Sequence, residues 1–483
     1  MPRKAAKALL FAVFALSVYR AITQSIVCDE GVTFELYIAG PLRAMFEHFD
    51  ANHHFLNTVL MRMSTGLFGV SELSMRLPAL GGAALYLTAV YRITGMSFGD
   101  GWLSLLAAAG MTLNPLVMDF MVAARGYGLA LGLWMWALAL LLGALPSPES
   151  KPKGATPRGD LALAGGALAL SVTANLVFAL PALALGAMGL YVLLHEKPVP
   201  QDSPKKRVKP KTDGTGPPWA WLIVPIITVA LSFLASAPLE NMHAADFYAG
   251  AETIGSSLQS LATSSLQHSG PLRSQKWMDV WSQAVAFVFA PLIFLAGLVR
   301  GIVRRDRVLL FSAGPSVFSA LALVAMHLLR GTPYPADRTG IYFLPLVIFV
   351  LLALAQLPRL AIPAIALGSI LVVNFLTEIN TRKFYVWEYD ADTRTMAEYI
   401  AQHRPQRSES QPVRVGGSWV FEPAMFFYGS KNNWTWMELR RTPQPEAGCD
   451  FCLLLKQDRG YVEKLGLKEV YRGPVSDSSL AVP

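Results

Sequence analysis

Long blocks that are apolar on every side, separated by short polar breaks, run through most of this chain. "GWLSLLAAAGMTLNPLV" from Gly101 and "GLALGLWMWALALLLGAL" from Gly128 are examples. A run of roughly twenty apolar residues matches the thickness of a bilayer's hydrocarbon core, and a helix apolar all round has no face suited to water. The pattern predicts about eleven spans. They lie near 6–24, 77–95, 102–118, 126–145, 160–175, 177–194, 219–237, 281–300, 308–328, 340–356 and 360–377. The tightest boundary is the hairpin at 175–177.

Three segments between or after the spans are long enough to carry structure: 25–76, 238–280 and 378–483. In the first, "EGVTFELYIAGPLRAMFEH" and "HHFLNTVLMRMSTGLFG" have helical length and one apolar face, which suits helices lying at the interface. The last alternates β-like runs ("VRVGGSWV", "CDFCLLLK", "KEVYRG") with helical ones ("DADTRTMAEYIAQH", "YVEKLG"). This predicts a small α/β domain over 381–483, with Asp392 or Thr393 accepting a backbone N–H at a helix start. The expected class is an α-helical polytopic membrane protein. Its transmembrane module covers 1–380, its first loop carries amphipathic helices, and a C-terminal extracytoplasmic α/β domain follows. "PSPESKPKGATPRGD" and "EKPVPQDSPKKRVKPKTDGTGPP" read as linkers with little to bury. No internal repeat is apparent.

The chain is 53% hydrophobic and only 15% charged, so a soluble multidomain enzyme is excluded. The net charge of +8 has a cause in topology. Arg3, Lys4 and Lys7, then Lys151, Lys153 and Arg158, then "KKRVKPK" (Lys205 to Lys211), then "RGIVRRDR" (Arg300 to Arg307) all fall on one side of the predicted spans. Basic residues concentrate on the cytoplasmic side, which predicts a cytoplasmic N-terminus and no nucleic-acid partner; membrane lipids are the expected contact of these clusters. The first segment has a signal-peptide-like start but no small-x-small cleavage site, so a retained anchor is expected. Cysteine is sparse. Cys449 and Cys452 form "CDFC" on a predicted strand, where residues three apart point to opposite faces and a redox pair is not expected.

The candidate chemistry begins where the first span ends, at "VCDEGVTFELY". Asp29 and Glu30 there are adjacent carboxylates at a membrane boundary, and an ionisable group at such a level is costly unless solvated or paired. Other polar groups reach the same level. "NHHF" supplies Asn52, His53 and His54; "NPLVMDFMVAARGYGL" supplies Asp119, Arg125 and Tyr127; "YPADRTGIYFLPL" supplies Asp337, Arg338 and Tyr342. Each arginine alone can be read as snorkelling to the interface. Together with the acids and histidines, they predict one polar cavity. A divalent metal is an open alternative, with His53 or His54 and an acid as ligands, although adjacent histidines do not project to one side of a helix. In the loop at 238–280, His243, Asp246 and Tyr248 are further candidates for substrate contact. "FEPAMFFYG" and "NNWTWMEL" in the tail read as domain core, and "NWT" at Asn433 matches an N-glycosylation acceptor pattern.

These residues resemble a known family. The "DE" after the first span, "FGVSELSMRLP" from Phe68 to Pro78, "ARGYGL" from Ala124 to Leu129 and, more loosely, "DRTGIYFLP" are similar to the GT-C membrane glycosyltransferases, in the branch of the protein O-mannosyltransferases and lipid A aminoarabinose transferases. The resemblance covers roughly residues 1–380. His53 and His54 stand where those enzymes usually carry consecutive prolines. The resemblance implies transfer of a sugar from a polyprenyl-phosphate donor to an extracytoplasmic acceptor at a bacterial inner or plasma membrane. It implies catalytic Asp29 and Glu30, with Asp29 as general base and Glu30 orienting the acceptor or holding a loop group in place. His53, His54, Asp119, Arg125, Tyr127, Arg338 and Tyr342 are then substrate-binding, with the arginines as donors to the lipid phosphate. Two other functions compete. A transporter or flippase would place polar groups at the bilayer midplane in two related halves. A membrane-anchored scaffold would depend on the tail and not on Asp29.

Overall fold

The computed structural model describes residues 1–47, 50, 52–144, 158–195, 250–267, 275–405 and 411–483. Helix α1 spans Pro2–Thr23. Five helices are long and apolar enough to cross a membrane: Pro2–Thr23, Glu72–Phe98, Gly126–Ala144, Lys276–Arg304 and Arg307–Arg330. Five shorter apolar helices, Trp102–Thr112, Gly159–Ala174, Leu176–Tyr191, Phe343–Leu354 and Ala361–Thr377, lie where the sequence places further spans. The chain is an integral membrane protein. The predicted span 219–237 lies outside the described residues, as do residues 146–157 of the first linker, the whole second linker and His243, Asp246 and Tyr248.

One shortened helix has a clear local cause. The predicted span 102–118 breaks into Trp102–Thr112 and Pro115–Phe120. Pro115 disfavours helical backbone at Asn114, which sits at φ −54°, ψ 122° and turns its side chain to accept the Val117 N–H at 3.3 Å. The chain thus restarts at the level where Asp119 must be placed.

Small residues set one close helix crossing. A Cβ on Gly82 would lie 2.5 Å from the Leu129 Cα, and one on Gly132 would lie 2.2 Å from the Gly82 carbonyl oxygen. The Glu72–Phe98 and Gly126–Ala144 helices therefore meet backbone to backbone, as small residues allow in apolar surroundings. The basic end of α1 is fixed far from the acids: Arg3 donates to the Tyr91 carbonyl at 2.9 Å and lies 3.7 Å from Asp100.

The first loop is helical, as expected. Helix α2 spans Cys28–Thr33 and runs into a π-helical turn, Phe34–Ile38, before the Gly40–Pro41 break. The Phe55–Phe68 helix follows and leaves Met63, Leu67 and Phe68 exposed, an apolar edge suited to an interface.

The C-terminal segment forms a five-stranded mixed sheet in the order β2-β1-β3-β5-β4. Its strands are β1 Val413–Gly417, β2 Met437–Leu439, β3 Phe451–Leu454, β4 Lys468–Arg472 and β5 Ser479–Val482. β1 pairs in parallel with β2 and β3, and β5 pairs antiparallel with β3 and β4. Three of these strands and the Thr393–His403 helix fall where the pattern predicts them; β2, β5 and the Glu422–Lys431 helix are additions. Two expectations are corrected. Asp392 is the helix N-cap residue but its side chain does not cap; its Oδ2 instead accepts from the Val475 and Ser476 N–H groups and the Ser476 hydroxyl at 2.8–3.0 Å. Cys449 lies ahead of β3, so strand alternation does not separate it from Cys452, and the two buried thiols are hydrogen-bonded. The domain's core is continuous with that of the bundle, since Phe427, Ala424 and Met396 share one buried cluster with Val27, Phe34 and Met75.

Candidate functional site

α1 ends at Gln24 in extended backbone, and the chain turns back into α2 with Val27 as N-cap. Asp29 and Glu30 sit in the first turn of α2, one residue apart and thus about 100° apart around its axis. That angle separates them completely. Glu30 faces the bundle and is fully buried. Its Oε2 lies 2.7 Å from Arg76 Nη2 and its Oε1 3.0 Å from Arg76 Nε, a two-pronged ion pair. Glu30 also accepts from the Ala124 N–H at 2.6 Å and the Val27 N–H at 3.2 Å. Arg76 spends its other donors on the Gln24 and Ser25 carbonyls at 2.8 and 2.6 Å. Every part of this knot has a partner. Glu30 therefore holds α1, α2 and the Ala124 turn together, which matches the expectation that it holds a loop group in place and leaves no free oxygen facing Asp29's side.

Asp29 faces the other way, with its side chain 18% exposed. Its Oδ2 lies 3.2 Å from Arg338 Nη2 and 3.5 Å from Arg125 Nη2. The three side chains come from α2, the residue just before the Gly126–Ala144 helix and the 3-10 turn Asp337–Gly340. Arg125 is almost wholly buried, yet its Nε and Nη1 have no hydrogen-bond partner. Arg338 lies over the Trp387 ring at 5.3 Å and hydrogen-bonds the Tyr127 hydroxyl. Its turn is fixed by Asp337, at φ +45°, whose Oδ1 accepts from Ser260 at 2.6 Å and from Ser264.

His54 closes the same side. It packs its ring edge on Tyr127 at 5.3 Å, and its Nε2 is buried without a partner. Burial, then the nearby Arg125, His53 and Arg338, hold His54 well below the usual imidazole range, so it is neutral. His53 is turned away, stacked on Tyr37 at 4.3 Å. Asn52 reaches α2 through its carbonyl, which accepts from Thr33 at 3.5 Å.

Two further predicted residues are placed elsewhere. Asp119 is buried against Arg20 at 2.6 Å and accepts from the Tyr385 N–H at 2.9 Å. This is a second ion-pair knot and not part of the Asp29 cluster. Tyr342 is buried against Phe178 and Phe343, with ring centroids at 5.8 and 4.4 Å, in apolar packing. Among the described residues no group of three or more His, Cys, Asp or Glu comes together, so the divalent-metal alternative finds no ligand set there. Glu30 in particular is committed to Arg76. Arg20, Arg76, Trp387 and Asp390 were not singled out by the sequence. An arginine inside the first apolar run, and another in "SMRLP" at the mouth of the second, were the available signals, since each needs a partner at that depth.

No family model matches the chain, and no curated protein matches it by sequence. Solved structures do match. ArnT from Cupriavidus metallidurans, bound to undecaprenyl phosphate, aligns at TM-score 0.52 and 14% identity over 98% of this chain and 97% of that one. The same protein in its apo state aligns at TM-score 0.52 and 12% identity, over 99% and 98%. This chain has the GT-C fold. In this GT-C fold the alignment runs through the C-terminal sheet as well as the bundle, because the two chains are matched nearly end to end.

Proposed function

We propose that this protein is a membrane glycosyltransferase that moves a sugar from a polyprenyl-phosphate donor to an extracytoplasmic acceptor. The supporting observation is the meeting of Asp29, Arg125 and Arg338, three side chains from remote segments, with two buried guanidinium nitrogens of Arg125, Nε and Nη1, left unmatched. A guanidinium with free vertices in a buried site suits a phosphate, which it can bind through two parallel hydrogen bonds. The fold shared with a protein seen bound to undecaprenyl phosphate supports the same donor class. The N-terminus is cytoplasmic and the sheet domain extracytoplasmic, as the basic clusters favour, so the site lies at the outer level of the bilayer.

The chemistry follows from what each group lacks. Both arginines lean on Asp29. A lipid phosphate takes them over, and the carboxylate is then free to accept the proton of an acceptor hydroxyl as it attacks the anomeric carbon. The sugar–phosphate bond breaks as the new glycosidic bond forms. Arg125 and Arg338 hold the charge that develops on the departing phosphate. The Tyr127 hydroxyl on Arg338, with neutral His54 packed against the Tyr127 ring, holds that guanidinium in place.

The test is sugar transfer in proteoliposomes with a panel of polyprenyl-phosphate sugars. Asp29→Asn is expected to fold and to lose on the order of 10²–10⁴ in turnover, the usual worth of a positioned base. Unimpaired transfer by Asp29→Asn refutes its role as base.

A further inference from the structure

The segment after the last bundle helix touches the site at its two most important points, and it is built to do so. A helix start leaves four N–H groups without intrahelical acceptors, which a side chain at the N-cap normally satisfies. In α2 the N-cap is Val27, which has no polar atom to offer. Glu30 folds back onto the Val27 N–H, but the Cys28 N–H is met from 362 residues away by Asp390 Oδ2 at 2.7 Å. Asp390 is itself buried and fixed by the Thr393 hydroxyl at 3.0 Å.

Three residues before Asp390, Trp387 lies under the Arg338 guanidinium at 5.3 Å, braced edge-on by Phe120 at 5.8 Å. One short turn thus holds the helix that carries Asp29 and the arginine that faces it. The rest of the tail is fitted to the same helix. The Tyr428 hydroxyl accepts from the Ile26 N–H at 3.0 Å, and a Cβ on Gly31 would lie 2.5 Å from the Pro423 carbonyl carbon. No side chain larger than hydrogen fits at Gly31 while the tail sits there.

We infer that Asp390 and Trp387 are positioning residues of the reaction, Asp390 setting the height and direction of Asp29 through the Cys28 N–H and Trp387 setting the plane of Arg338. The tail is on this view the second wall of the active site and not an appended binding module. The inference rests on the proposed transfer reaction for its kinetic consequence, but the Asp390–Cys28 contact can be read without any substrate.

A distinction between charge and hydrogen bonding follows. Burial, opposed by the Cys28 N–H and the Thr393 hydroxyl and reinforced by Asp29 and Glu30, holds Asp390 well above the usual carboxylate range. The residue works as a hydrogen-bonding group, and asparagine has the shape and the acceptor to replace it.

The experiment compares full-length wild type, Asp390→Ala and Asp390→Asn in lipid nanodiscs. Hydrogen exchange of the peptide containing Cys28 is measured first. Asp390→Ala is expected to speed its exchange roughly fivefold to tenfold, the size of a lost cap, while Asp390→Asn keeps the wild-type rate. Transfer kinetics are measured next. Asp390→Ala is expected to lower kcat about tenfold with donor KM held, and Asp390→Asn to restore it. Trp387→Leu is expected to raise donor KM instead, with Trp387→Phe recovering most of it.

Unchanged exchange and unchanged kcat in Asp390→Ala overturn the inference. So does an Asp390→Asn variant as damaged as Asp390→Ala in both readouts. If Asp390→Ala fails to fold, Asp390→Asn and the Trp387 pair still decide, because a purely structural tryptophan would not split KM from kcat. A wild type that transfers no sugar would remove the proposed function and leave the exchange result to judge the Asp390 contact by itself.

Discussion

Asp29 and Glu30 are neighbours in sequence with the same charge and both face arginines, but they differ in how fully they are paired. Glu30 meets Arg76 at 2.7 Å with both side chains wholly buried, and backbone N–H groups take up what Arg76 leaves. Asp29 meets two arginines at longer range, 3.2 and 3.5 Å, with its side chain 18% exposed. The first pair is saturated and the second is not. A saturated buried ion pair can only hold structure, since any movement strands a charge in a low-dielectric interior. An unsaturated one can exchange partners, which is what a site for a charged substrate requires. The helical offset of one residue is enough to sort the two acids into these roles.

The comparison can be broken most forcefully at Arg76. Arg76→Ala leaves Glu30 as a buried unpaired charge and is expected to cost about 3–5 kcal/mol of stability, enough to prevent accumulation of folded protein. Thermal unfolding in detergent reads this directly, and wild-type stability would place Glu30 among the exchangeable groups. A smaller effect is expected at Arg125. Arg125→Lys keeps the charge but removes the flat fork, so kcat/KM for the donor should fall on the order of 10²–10³ with little change in stability. Equal losses in stability and activity would make Arg125 a second Arg76.

The smallest effect concerns pH. His54 is neutral when folded, whereas an unfolded histidine takes up a proton near pH 6.5. Below that pH the unfolded state binds one proton more than the folded state, so stability rises as pH rises and is lost as pH falls. The slope contributed is at most roughly 1.4 kcal/mol per pH unit. His54→Gln should flatten the stability profile between pH 6.5 and 5. An unaltered profile would show that His54 is protonated in the folded protein and belongs with the arginines as a cation.

Much of this was legible beforehand. The apolar blocks located the bundle helices, because burial in lipid imposes a composition that needs no partner to recognise. The alternating runs located three of five strands for a similar reason. Asp29, Arg125 and Arg338 were found together because charges at the edge of apolar runs are few, and the level at which they occur is fixed by span boundaries. The errors came where that level was shared but the direction was not. Asp119 faces Arg20. Tyr342 packs in apolar surroundings. Helix rotation decides both, and the patterning of a helix apolar all round carries almost no rotational signal.

The sequence by itself determined the apolar helical architecture and the short list of charged residues beside it. These follow from transfer free energies, which act residue by residue. Only the tertiary structure decided which of two adjacent acids is sealed and which is open, that Arg76 and Arg20 are spoken for, and that a turn near residue 390 caps a helix near residue 28. Those outcomes depend on contacts across hundreds of residues, and no local pattern encodes a partner that the chain brings in only by folding.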